Sequence, residues 1–414
     1  MFYIAPGSVD GYVRVPGSKS HMQRAILVAS MAVGVTCIQK QGYSADDKAC
    51  IEVIKTLGAK VEQIGDVLSI FGNDSEYRTI LNCGESGFCA RASAAISALK
   101  DRSIKITGCG SLVGRPMGMV CESLVQLGAY CDVDHGSIPI TVCGPIVGGK
   151  LIVSGAISSQ FISGLLMALP KASRDSELLV TGLRSKSYVR MTLDTIASFG
   201  VQIESNNDLS RFNIRGNQIY QATNIVIEGD WSSAAFMLVA GAIAGKVTIV
   251  GLKDDSIQAD RAILNILEAA GAKFCWNSQG LTICKSDLKA FEFDATDCPD
   301  LFPPLVALAC CAEGTSSISG VTRLIYKESN RGVVLNNVFS ELGANIKICD
   351  NTMKIIGGPL VGGSISSNND HRIAMACAVA GLITNCGVCI TDEHCVAKSY
   401  PDFFNVLQSI RDPL

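Results

Sequence analysis

The side chains of this sequence best suited to chemistry gather at turns that open apolar helical stretches. VPGSKSHMQRAILVAS breaks a strand at Pro16-Gly17, turns through Ser18, Lys19 and Ser20, and places Arg24 early in an apolar helix. Serine and lysine at a helix start make an anion seat, because unpaired backbone N–H groups and the helix dipole add to the side-chain charge. A phosphate-binding P-loop needs Gly-Lys-Ser in direct succession, and Ser18 interrupts it here. CGESGFCAR leads through Gly87 to Arg91, Arg115-Pro116 stands at another expected helix entrance with the proline in the first turn, and Ser158, Ser159 and Gln160 open the apolar FISGLLMAL. LRSKSYVRMTL adds Ser185, Lys186 and Tyr188, and EGDWSSAAF opens a further apolar run. In the last third, acids stand beside bases. Asp300 follows Pro299, Tyr326–Arg331 reads YKESNR, Asp370-His371-Arg372 opens an apolar helix, and Lys398 precedes Tyr400-Pro401. Lys327 and Arg331 are read as sharing one helical face, four residues apart, with Glu328 adjacent.

These groups need a scaffold that returns helix entrances to one region, and an internal repeat supplies it. VIKTLGAKVE, LVQLGAYCDV, IASFGVQIES, LEAAGAKFCW and FSELGANIKI place Gly58, Gly128, Gly200, Gly271 and Gly343 at spacings of 70, 72, 71 and 72 residues. Each glycine follows apolar residues at helical spacing and precedes an alternating strand-like segment, as a left-handed helix stop does. A sixth phrase would fall at the end of the chain, so the sixth unit is expected to lack its strand. The strand-like Met1–Val15 belongs to no repeat and is expected to fill that gap in the C-terminal half, since an uncovered sheet edge is a liability. The organisation expected is two lobes, 18–226 and 1–17 with 227–414, linked by two crossings that act as a hinge. Units of this length exceed the usual solenoid period.

Composition narrows the function classes. The chain has 414 residues, 48% of them apolar and 18% charged, which excludes disorder as the main state. A net charge of -3 argues against nucleic acid as a partner. The apolar runs, such as Ala234–Ala244, are too short to cross a membrane, and the start lacks a signal-peptide pattern. A cytoplasmic monomer is expected. A core of this size does not need disulfides, so the 18 cysteines are read mostly as small hydrophobes. Cys386 and Cys389, with His394 and Cys395 behind them, could hold zinc; the alternation of CGVCITDE favours a strand instead.

Taken in order, PGSKS with Arg24, CGESG with Arg91, Arg115-Pro116, SGAISSQF, SKSY, EGDWSSA, Pro299-Asp300, KESNR, DHR and Lys398 resemble the 5-enolpyruvylshikimate-3-phosphate synthases, enolpyruvyl transferases, over nearly the whole chain. The resemblance implies an α/β fold of two lobes, each of three βαβαββ repeats around buried parallel helices in an inverted α/β barrel, with the N-terminal strands joined to the C-terminal lobe. It implies transfer of the enolpyruvyl group of phosphoenolpyruvate to the 5-hydroxyl of shikimate 3-phosphate, through a tetrahedral ketal that loses phosphate. Ser20 and Arg24 would then hold the acceptor carboxylate, and Ser158, Ser159, Ser185 and Tyr188 its phosphate and ring, with Gln160 touching both ligands. Lys19, Arg115, Arg331, Arg372 and Lys398 would grip phosphoenolpyruvate, with the Gly87 turn against it. Asp300 would serve as base, Glu328 as the proton carrier at C3, Lys327 and Lys19 as charge stabilisers, and His371 as a secondary candidate. No metal or organic cofactor is implied. With the ligand groups divided between lobes, ligands are expected to draw the lobes together.

The sequence departs from the family pattern at Glu85, Phe88, Arg323 and Asn330, to which no family role is carried over. The nearest alternative is a UDP-N-acetylglucosamine enolpyruvyl transferase, which carries a reactive cysteine before an Arg-Pro; Cys109 precedes Arg115, but ITGCGSLVGRP fits that context poorly. A noncatalytic anion-binding repeat protein is the other alternative, and it would have no need of Asp300 and Glu328 among bases.

Overall fold

In the computed structural model, residues 1–40, 42–72 and 77–413 are described. The chain divides into two compact units, 17–227 and 1–16 with 228–414, and each has its own hydrophobic core.

Twelve α-helices are described: α1 (Lys19–Ala29), α2 (Ala45–Thr56), α3 (Gly87–Ser97), α4 (Gly118–Gln126), α5 (Gln160–Ala168), α6 (Lys186–Ser198), α7 (Trp231–Ala244), α8 (Ile263–Ala269), α9 (Phe302–Cys310), α10 (Arg331–Glu341), α11 (His371–Gly381) and α12 (Phe403–Ser409). The odd-numbered helices are buried almost all round. Their small residues permit it: α7 reads WSSAAFMLVAGAIA and is buried throughout. Where α5 meets α3, a Cβ on Gly164 would stand 2.7 Å from the Ala92 Cα. Only glycine lets the two backbones approach so closely.

The described strands form six sheets. The recurring pattern is a parallel pair joined by a buried helix, then an even-numbered helix and an antiparallel hairpin that packs beside the second strand. Strands Ile80–Asn82 and Ile104–Thr107 flank α3 in this way, as Lys150–Ser154 and Ser176–Thr181 flank α5. Glu292–Asp294 and Thr315–Ser319 flank α9, and Gly363–Ser366 and Val388–Thr391 flank α11. A parallel pair requires a crossover, so each buried helix starts just beyond the end of a first strand. The chemistry-bearing turns sit at these starts.

The repeat glycines behave as their spacing implies. Gly58, Gly128, Gly200, Gly271 and Gly343 have φ of 101°, 88°, 81°, 82° and 94°, each just after an even-numbered helix. Their left-handed backbone ends the helix at little steric cost.

Two expectations about the scaffold need correction. The sixth unit does carry a strand: Arg411–Pro413 follows α12 and pairs antiparallel with Gly7–Arg14. The N-terminal segment still fills a gap, because Phe2–Ile4 pairs antiparallel with Val388–Thr391, while Gly7–Arg14 pairs parallel with Gly245–Val250. The cysteines are not all free. Cys121 of α4 is disulfide-bonded to Cys131 of the adjoining strand Tyr130–Asp134. The two lie ten residues apart across one helix-to-strand turn, a closeness that composition does not register.

Candidate functional site

In the unit 17–227, the helix starts carry the cations and hydroxyls. Ser18 caps α1, its Oγ accepting from the His21 backbone N–H. One residue on, Lys19 is ion-paired to Asp46 at 2.9 Å. Arg24 is buried, and its guanidinium donates to Thr192 Oγ1 at 2.8 Å, the Ser20 carbonyl at 2.7 Å and Ser163 Oγ at 3.3 Å. The guanidinium also lies over the Phe88 ring at 4.4 Å and the Tyr188 ring at 5.8 Å. Burial pushes its pKa down to about 9. A buried cation whose hydrogen-bond acceptors among the described residues are neutral favours any ligand that brings negative charge.

Around α3 the arrangement is similar. Ser86 caps the helix and donates to Gln23 Oε1 at 2.8 Å. Arg91 donates to Gln160 Oε1 at 2.6 Å and to the Pro116 carbonyl at 2.9 Å, and burial followed by the Arg115 charge pushes it down to about 9. Arg115 is 7% exposed. A Cβ on Gly87 would stand 2.7 Å from Arg115 Nη1 and 3.1 Å from Arg91 Nη1, so the backbone there lies directly against two guanidinium groups. Pro116 precedes the Met117 cap rather than entering the first turn of α4, which corrects the sequence reading. Ser158 Oγ accepts from the Gln160 N–H at the start of α5. Ser159 is buried at the cap itself. Ser185 caps α6 with φ 54° and ψ 50°, a left-handed conformation that a serine holds only when its surroundings impose it.

In the other unit the bases are paired to acids. Asp300 sits on the short turn Pro299–Leu301 ahead of α9. Its Oδ1 accepts from Lys327 at 3.1 Å and Arg331 at 2.9 Å, and its Oδ2 from Arg372 at 3.2 Å. Burial alone would raise the Asp300 pKa; Arg372, Lys327 and Arg331 outweigh it and hold the carboxyl well below its ordinary range. Arg331 is fully buried and spans three acids: Asp300, Glu328 and Asp370, the last at 2.9 Å from Nε and 3.1 Å from Nη2. Burial lowers the Lys327 pKa against the pull of Asp300. Lys398 Nζ lies 3.8 Å from Glu328. Buried His371 opens α11, behind the cap Asp370, whose side chain accepts from the Arg372 N–H.

Arg331 is the first residue of α10, and Tyr326–Asn330 form the turn before it. Lys327 and Arg331 therefore do not share a helical face. They meet because both reach Asp300. Sequence reasoning gave no role to Asp370 or Asp46, although Asp370 stood visible in DHR. Asp46 lies in SADDK, where the short helix start gave no hint that Lys19, 27 residues away, would find it.

Glu328, Asp370 and His371 bring one possible metal-ligand atom each within 4.8 Å of one another. Arg331 donates to both carboxylates, so the group is an ion-pair network with its charge already compensated. The four residues considered for zinc do not gather into a ligand set among the described residues. Cys389 lies on the strand Val388–Thr391, and Cys386 donates to the Val361 carbonyl.

Comparison with known proteins gives a consistent picture. The family model described as EPSP synthase (3-phosphoshikimate 1-carboxyvinyltransferase) matches residues 4–407. A 3-phosphoshikimate 1-carboxyvinyltransferase of Methanocorpusculum labreanum is 37% identical over 98% of this chain and 97% of its own length. One from Clostridium perfringens matches with the same identity and coverage. Among solved structures, an EPSP synthase of Acinetobacter baumannii superposes with a TM-score of 0.83 at 26% identity, covering 99% of this chain and 98% of that one.

Proposed function

We propose a division of labour among the residues of a chain that belongs to the EPSP synthase family, the 3-phosphoshikimate 1-carboxyvinyltransferases. The enzyme transfers the enolpyruvyl group of phosphoenolpyruvate to shikimate 3-phosphate. In the proposed mechanism the acceptor 5-hydroxyl attacks C2 of phosphoenolpyruvate as C3 is protonated, and the ketal then loses phosphate and a C3 proton. Ser20 and Arg24 hold the acceptor carboxylate, Ser158, Ser159 and Ser185 its phosphate, and Gln160 spans the two ligands. Lys19, Arg115, Arg372 and Lys398 serve the phosphoenolpyruvate anions, with the Gly87 turn close by. Arg331 is assigned a different part from the one its sequence position implied. All of its nitrogens are committed to three carboxylates, so it holds Asp300 and Glu328 in place rather than gripping the donor.

The observation that carries this reading is Asp300, an acid held ionised by three cations. A carboxyl with so depressed a pKa is a weak base on its own. A donor anion bound to Arg372 would draw on the same positive charge and raise Asp300 toward the value a base needs. Donor binding thus arms the group that takes the hydroxyl proton. Glu328, tied to Arg331 and near Lys398, carries the proton at C3, Lys327 and Lys19 stabilise developing charge, and His371 is a secondary proton carrier.

Phosphate release from phosphoenolpyruvate is expected with shikimate 3-phosphate and not with UDP-N-acetylglucosamine. Release with the nucleotide sugar would overturn the assignment. Cys109 is exposed at the start of a short turn, so Cys109→Ser should retain activity. No described helix is long and apolar enough to cross a membrane. The same reading has the enzyme monomeric and cytoplasmic, which light scattering and cell fractionation test.

A further inference from the structure

Beside the Asp300 cluster lies a second buried carboxyl that no role above uses. Asp260 sits on the single turn Ala259–Ala262, packed on α7, and is 1% exposed. Ser232, in the first turn of α7, donates to its Oδ2, while its Oδ1 is buried with no hydrogen-bond partner among the described residues. Burying a carboxylate with one oxygen unsatisfied is costly unless a proton or a cation answers the charge. The charged and titratable groups that act on it are Asp300, Arg372 and Asp230, and the Cys298 thiol stands in the field of Asp260 in turn. Arg261, its neighbour on the same turn, is paired with Asp254 instead. Burial first, then the Asp300 charge, push Asp260 up to about 7, against Arg372 and the Ser232 hydroxyl. Arg372 in turn is held charged by Asp300, Asp260 and Asp230, against its own burial and the Arg331 charge.

We propose that Asp260 is a positioning residue for the Asp300–Arg372 pair: it carries a proton while Asp300 is ionised, and its own ionisation weakens the hold of Arg372 on the donor anion. This inference rests on the assignment of Asp300 and Arg372 to phosphoenolpyruvate. Two acids that share one arginine titrate as a coupled set. Below its midpoint Asp260 is neutral, and Arg372 has one negative charge fewer to satisfy. Above it, a second buried charge competes with the donor for the same guanidinium.

The test is the pH dependence of KM for phosphoenolpyruvate, from pH 6 to 8.5, in the wild type, Asp260→Asn and Ser232→Ala. Ionisations of the substrate are common to all three enzymes and cancel in ratios to wild type. The wild-type KM should rise by roughly three- to tenfold through an inflection near neutrality, a penalty of up to about one pKa unit of interaction. Asp260→Asn, of the same shape and permanently uncharged, should lose this rise. Ser232→Ala removes the hydroxyl that favours the ionised form, so its inflection should move to higher pH. A purely structural role would lower turnover or melting temperature at every pH and leave the inflection in place. A ratio of the Asp260→Asn KM to the wild-type KM that stays constant across this pH range overturns the inference. If that variant does not fold, Ser232→Ala decides alone, with an unmoved inflection as the overturning result. Arg372→Gln, measured alongside, separates the two readings. An unchanged donor KM there overturns the donor assignment, whereas a raised one with an unaltered Asp260→Asn profile overturns only the role of Asp260.

Discussion

The two units hold their arginines by opposite means. Arg24 and Arg91, in 17–227, donate to hydroxyl, carbonyl and amide oxygens, and burial draws both down to about 9. Arg331 and Arg372, in the other unit, donate to carboxylates, which keep both above their ordinary value despite burial. Neutral acceptors orient a guanidinium without cancelling its charge, leaving that charge for a ligand. Carboxylate acceptors cancel it, and they gain a fixed position and an ionised state suited to accepting protons. One cluster is arranged for binding the acceptor anion, the other for moving a proton beside the donor.

The largest effect that would break this contrast lies in the carboxylates. Asp300→Asn and Glu328→Gln should each lower kcat by roughly two to four orders of magnitude, the usual worth of a positioned acid or base. Rapid-quench detection of the ketal would show which step each serves, and near-normal ketal formation in either variant would withdraw its role.

Next in size is a contrast in stability. Arg331→Met leaves buried acids without their cation and should destabilise its unit by about 3–5 kcal/mol. Trp231 and Trp276 both lie in that unit, so tryptophan fluorescence in urea reports it directly. Arg24→Met removes a buried cation whose hydrogen-bond partners are neutral, and the relief of its desolvation should hold the loss to about 1 kcal/mol by circular dichroism, while KM for the acceptor rises. Equal losses in the two variants would erase the distinction.

The smallest effect is steric. Gly87→Ala places a methyl 2.7 Å from Arg115 and should raise KM for phosphoenolpyruvate about tenfold, in line with about 1.4 kcal/mol of lost contact, with little change in melting temperature. An unchanged KM would show that the turn yields.

The sequence discloses the parts of this contrast that repeat or are local. The glycine spacing marks every even-numbered helix end from α2 to α10, because a left-handed stop demands the same residue each time. Helix entrances are legible because caps and charged residues precede apolar runs. The Tyr326–Asn330 turn is not legible, since Lys327 and Arg331 have helical spacing whether or not a helix joins them. The strand Arg411–Pro413 was too short to show a pattern. Asp260 carries no local signal, because IQADRAIL resembles an ordinary helix start and its neighbours Ser232 and Asp300 lie 28 and 40 residues away. Contacts at that range leave no periodic trace.

The central claim is that binding of the acceptor anion and proton transfer belong to different clusters. Calorimetric titration of shikimate 3-phosphate into Asp300→Asn/Glu328→Gln and into Arg24→Gln tests it most directly. The account expects the double variant to bind the acceptor within about threefold of wild type, and Arg24→Gln to lose at least about tenfold, the 1.4 kcal/mol of one charge-assisted contact. The reverse order, with acceptor affinity lost in the carboxylate variant and kept in Arg24→Gln, would contradict it.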